Sequence, residues 1–155
     1  MGVPSKQACA LLGSLALAAG VAGCGETVST GTFSGEDKAV AQRVSEFQHH
    51  ATAASETAIC TDDLTSRLRA EIVSSAKAAN GKGCAEALKQ QLKQVEDVSM
   101  TVKSVTVHGT SAAAVVRSTW SGKPCNSTLT LEKQPSATSK GGSPWRISGM
   151  QTSCT

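Results

Sequence analysis

The chain has 155 residues, with 15 Lys and Arg against 12 Asp and Glu, a net charge of +3, and only 3% aromatic side chains. That length bounds the protein to about one domain. So few rings exclude the stacking platform of a single-stranded nucleic-acid binder, and the absence of any CxxC pair argues against a structural zinc site.

The first element is a leader. Lys6 precedes an apolar run from Ala8 to Val21, which closes on Val21-Ala22-Gly23-Cys24. A bilayer span needs roughly 20 apolar residues, so this shorter run fits a cleaved secretory signal better than a membrane helix. The four closing residues resemble the lipobox of bacterial lipoproteins. The resemblance implies a diacylglyceryl group on Cys24, cleavage after Gly23, and a lipid-anchored protein on the extracytoplasmic side of the cell membrane. Gly25, where an inner-membrane retention signal would carry Asp, implies the outer membrane in a two-membrane host. The Ala-rich and Gly-rich composition fits a high-GC organism such as an actinobacterium.

Removing residues 1–23 leaves one domain's length of chain. Residues 24–35 form a lipidated Cys24 and a Gly, Ser and Thr-rich tether without apolar periodicity. A flexible linker of about 11 residues has an r.m.s. span of roughly 18 Å, which holds the domain just clear of the headgroups. Residues 36–155 are the folded domain. No cofactor is expected.

A first helix begins at Ser34 as N-cap, with Asp37 completing a capping box and Glu36 in the first turn. Val40, Val44, Phe47, Ala51, Ala54 and Ala58 form one continuous helical stripe. A second helix starts at Thr61-Asp62-Asp63, carries Leu64, Leu68, Ile72 and Ala76, and ends at Asn80-Gly81. A third runs from Cys84 through Leu88, Leu92 and Val95, which directs Cys84 to the core.

From Val98 the period shortens to two. The first strand, Val98 to Val107, turns at His108-Gly109-Thr110 into a second, Ser111 to Trp120. That register sets Val107 by Ala112 and Val105 by Ala114. Met100 and Val102 differ in parity from Val105 and Val107, which predicts a bulge near Lys103-Ser104. A third strand, Asn126 to Lys133, and a fourth, Trp145 to Ser153, flank the polar loop from Gln134 to Pro144.

Cys9 leaves with the signal and Cys24 carries lipid, so Cys60, Cys84, Cys125 and Cys154 remain. Two disulfides are expected outside the cytoplasm, with three connectivities possible. Cys60 with Cys84 joins the third helix to the joint between the first two. Cys125 with Cys154 follows from the register of the last hairpin. No metal is expected, since adjacent His49 and His50 point about 100° apart on a helix.

Three helices followed by a four-stranded antiparallel meander make an α+β domain with helices packed on a curved sheet. The stretches Val40 to Phe47, Cys60 to Leu68, Gly83 to Leu88, Val102 to Val115 and Trp145 to Ser148 resemble actinobacterial lipoproteins with a nuclear transport factor 2-like domain. That resemblance implies a cone enclosing a pocket, often dimeric through the sheet. It implies no single activity.

Enzymes of that fold place a His and an Asp in the pocket. The candidates are therefore His49 and His50, just off the first helix's stripe, with Asp62, Asp63 and His108. The plainer reading makes the two histidines a solvated helix face, the aspartates first-turn acids and His108 a turn residue. No nucleophile elbow, phosphate-binding glycine motif or zinc-protease helix occurs in the sequence. Asn126-Ser127-Thr128 is a glycosylation sequon that a bacterial lipoprotein normally ignores.

Charge is uneven along the chain. Residues 98–155 carry Lys103, Arg117, Lys123, Lys133, Lys140 and Arg146 against the single acid Glu132. These cations either solubilise exposed strands or meet anionic envelope components. Two functions of different class follow. One is a noncatalytic surface lipoprotein that binds a small apolar ligand or an envelope partner. The other is a pocket enzyme, of dehydratase or isomerase type, using a His with an acidic partner.

Overall fold

The computed structural model describes residues 32–78, 83–93, 98–120, 122–135 and 143–154. The leader, Cys24, the tether up to Gly31, Asn80-Gly81, Val95 and Lys140 lie outside the described residues, whereas Ser34 and Gly35 belong to the start of the first helix. The elements are α1 (Gly35–Thr52), a short α2 (Glu56–Ala58) running into a π-helical turn (Ile59–Asp63), α3 (Ser66–Ala78) and α4 (Cys84–Leu92). Strands β1 (Val98–His108), β2 (Ser111–Trp120), β3 (Lys123–Lys133) and β4 (Trp145–Cys154) follow. They form one antiparallel sheet in the order β1-β2-β3-β4. Period-2 sequences joined by short turns give this meander, as the alternation predicts.

α1 starts at Ser34, whose backbone is extended, but no side-chain cap bond forms there. The expected capping box is therefore not made. Glu36 is drawn elsewhere: its carboxylate accepts from Lys133 Nζ and from Trp145 Nε1, the latter at 2.9 Å. A first-turn acid thus fastens the helix start to the ends of β3 and β4.

The single long stripe through Ala58 is broken. Ala54 sits at φ 48°, and its N–H donates to Ala51 O at 3.2 Å while Ser55 N–H donates to His50 O at 2.8 Å. These two bonds and the left-handed residue are a Schellman motif, which ends α1 at Thr52. Alanine occupies the position where glycine is usual, so the stop carries no glycine to announce it.

The expected second helix also starts later. Ile59 to Asp63 make a π turn, and Leu64 N–H donates back to Ile59 O at 3.1 Å. Leu64 is extended and forms a parallel bridge to Ile147, and Thr65 N–H donates to Ile147 O at 2.9 Å. Pairing with the β4 edge satisfies backbone groups that a helix would otherwise have used. Thr65 Oγ1 then accepts from Leu68 N–H, capping α3. Among the described residues, the helical layer has four helices and a π turn where three helices were expected.

The sheet follows its pattern closely. Val107 pairs with Ala112 and Val105 with Ala114, and the register of β1 shifts between Val102 and Ser104. β3 begins at Lys123, earlier than Asn126, because Trp120 pairs with Lys123. A second shift, at Thr130/Leu131, lets β4 carry one extra residue beside Gly149.

The core lies between α1 and the helix-facing side of the sheet. Val40, Val44, Ile59 and Leu64 meet Met100, Val102, Ala114, Val116, Leu129, Leu131, Trp145 and Ile147. Cys60 is bonded to Cys84, and Cys125 to Cys154. The first bridge pins α4 to the π turn; the second joins directly opposed residues of β3 and β4.

Candidate functional site

Helical spacing puts Arg43, Glu46 and His50 on one side of α1, at i, i+3 and i+7. The Schellman motif and π turn fold the chain back so that Asp63 meets that side. Asp63 is 0% exposed and Arg43 2%. Arg43 Nη1 donates to Asp63 Oδ1 at 2.8 Å and lies 2.8 Å from Glu46 Oε2. Arg43 Nη2 donates to the carbonyl of Ser143 at 2.8 Å. Ser143 Oγ in turn donates to Ala39 O at 2.8 Å.

The second carboxylate oxygen of Asp63 lies 2.8 Å from His50 Nδ1, and the His50 side chain is 24% exposed. With Arg43 already on Oδ1, the carboxylate draws the proton of His50 to Nδ1. Nε2 is then the ring nitrogen left for an external partner. A buried charge needs such compensation, because its hydration is lost on folding.

Arg146 on β4 completes the electrostatic surroundings. Burial, and then the nearby Arg43 cation, hold its guanidinium below the ordinary arginine range; Asp62, Asp63 and Glu46 act in the opposite sense. Its Nη1 is buried and has no hydrogen-bond acceptor among the described residues.

The sequence candidates are therefore sorted by the fold. His50 and Asp63 come together. His49 is exposed next to His50, with ring centroids 5.9 Å apart, and Asp62 and His108 are exposed. Asp62 and Asp63 are not first-turn acids of α3, which begins at Ser66, because both belong to the π turn before it. Nor is His50 part of a fully solvated face. Arg43 was missed, although a lone Arg beside Val40 and Val44 on an apolar helix side signals a buried ion-pair partner. Among the described residues, no group of three or more His, Cys, Asp or Glu is placed to hold a metal ion.

Among the described residues, the cations of the basic half sit in unlike surroundings. Lys133 is paired with Glu36, and Arg146 lies within electrostatic reach of Asp62, Asp63 and Glu46. Lys103, Arg117 and Lys123 are exposed.

A helical layer on a four-stranded antiparallel meander makes this an α+β domain. One solved structure, an NTF-2-like protein of unknown function from Silicibacter pomeroyi DSS-3, matches it with a TM-score of 0.50 at 16% identity. The match covers 76% of this chain and 93% of that one. At that identity the likeness is one of fold, so the domain is NTF-2-like in architecture. No protein-family model and no curated protein matches the chain.

Proposed function

We propose that the protein is a noncatalytic lipoprotein, anchored through Cys24 on the extracytoplasmic face of a bacterial cell membrane. Its NTF-2-like domain binds a small apolar ligand or an envelope partner. The observation that carries this reading is the pairing of all four cysteines downstream of Cys24 into two disulfides. Such bonds persist in oxidising compartments and are rare in the cytosol. They agree with the leader and lipobox at residues 1–24.

Native mass spectrometry of the full chain, extracted gently from membranes, tests the reading. A mature chain beginning at lipid-modified Cys24 and carrying a co-purifying apolar molecule or envelope protein is the expected result. A chain that keeps residues 1–23 and carries no lipid contradicts it. The same spectrum reports whether the domain dimerises.

A second reading is favoured by one contact, His50 Nδ1 on Asp63 Oδ2 at 2.8 Å. Asp63 orients the ring and leaves Nε2 to act as a general base of the dehydratase or isomerase type. His50→Gln abolishes turnover of a pocket substrate if this reading holds, and leaves ligand affinity nearly unchanged.

A further inference from the structure

The two disulfides occupy unlike surroundings. Cys60 and Cys84 are both buried in the core cluster between the π turn and α4. Cys125 is 2% exposed, but its partner Cys154 is an exposed residue at the last position of β4. Cys154 lies on an edge strand, and the bridge from Leu64 reaches that strand only at Ile147. One residue of the strand bridge is thus exposed to solvent, whereas both residues of the helical bridge are buried.

We propose that Cys125–Cys154 is a redox-responsive bond, opened in the folded protein by extracytoplasmic low-molecular-weight thiols while Cys60–Cys84 stays closed. The thiolate attacks Cys154 Sγ and forms a mixed disulfide, and Cys125 leaves as a thiolate that takes a proton from water. A second thiolate attacks the sulfur contributed by the first thiol. Cys154 is released as a thiolate, and the two small thiols end as one disulfide. Exchange of this kind is governed by access and by the leaving group.

The reduced state has a place for the new thiol. Cys125 Sγ lies 3.6 Å from the carbonyl of Lys123, which can accept its S–H. The bond also clamps the C-terminal end of β4 next to a short row of hydroxyls, in which Ser127 Oγ lies 2.9 Å from Thr152 Oγ1. Opening it loosens Thr152 to Cys154, while Trp145 and Ile147 keep the start of the strand in the core. The consequence is a local release of the strand end, with the domain still folded.

The test is thiol titration of the full-length chain in detergent with reduced glutathione, followed by iodoacetamide and peptide mapping. Cys125 and Cys154 should be alkylated at thiol concentrations that leave Cys60 and Cys84 bonded. Hydrogen exchange should accelerate at residues 151–154, with the far-ultraviolet dichroism unchanged. Alkylation of Cys60 and Cys84 at the same or lower thiol concentration would overturn the proposal. So would protection of all four cysteines until the whole domain unfolds.

Discussion

His50 Nδ1 and Asp63 Oδ2 stand 2.8 Å apart, although the two residues are 13 positions apart in the chain, across a left-handed turn and a π turn. Asp63 holds Arg43 on its other oxygen, so one buried carboxylate fastens α1 to the turn that follows it. Without the Asp63 charge, buried Arg43 keeps only Glu46 and the Ser143 carbonyl, and without Arg43 the buried carboxylate keeps only His50. Asp63→Asn should destabilise the domain by about 3–5 kcal/mol, the usual cost of breaking a buried pair. Arg43→Met with Asp63→Leu should recover most of that loss, because an apolar pair needs no compensation. Urea unfolding of the two variants checks the difference.

Ala54 adopts φ 48°, a region that costs an L-residue about 1 kcal/mol or more and costs glycine almost nothing. Ala54→Gly should raise the stability by roughly 0.5–1 kcal/mol even after glycine's larger unfolded-state entropy. Ala54→Val should lower it. Thermal melts of both variants suffice, and the same direction of change in each would show that the Schellman turn is wrongly described.

The Glu36 carboxyl is held below its ordinary range, first by the hydrogen bond from Lys133 and then by that from Trp145. A depressed folded-state value means that Glu36 contributes stability above its unfolded value, near 4.3, and that this is lost as pH falls through the folded value. The loss therefore lies on the acid side of about pH 5. Glu36→Gln should flatten the stability profile between about pH 5 and 3 and leave its shape near neutrality alone. Unfolding midpoints measured across that window decide it.

Gly149 lies at the β4 irregularity, where a Cβ would meet Thr130 Oγ1 at 2.8 Å. Overpacking of this kind costs typically 1–3 kcal/mol. Gly149→Ala should fall in that range, and Thr130→Ala in the same chain should relieve most of it. Additive losses in a double-mutant cycle would contradict the contact.

The sheet was almost fully legible in the sequence because alternation, turn chemistry and one parity change each leave a residue-level mark. Val102 and Val105 reveal the bulge, and the centring of the last hairpin places Cys125 against Cys154. The helical layer was less legible. Ala54 carries no sign of a left-handed stop, and Ala58 continues the stripe that the stop interrupts. Leu64 fits a helical period but pairs with Ile147, a contact 83 residues away that local pattern does not contain. The site inherits that gap. His50 and Asp63 were both visible as candidates, but their meeting depends on the π turn, and Arg43 was hidden inside an apolar stripe.

The proposed lipid anchor at Cys24 is tested most directly by the distribution of wild-type and Cys24→Ala chains between membrane and soluble fractions, with intact mass read on each. Wild-type chain in the membrane fraction, starting at a diacylglyceryl-modified Cys24, and loss of both lipid and processing in Cys24→Ala are the predicted results. Equal membrane partition of the two chains, with no lipid mass on the wild type, would contradict the account.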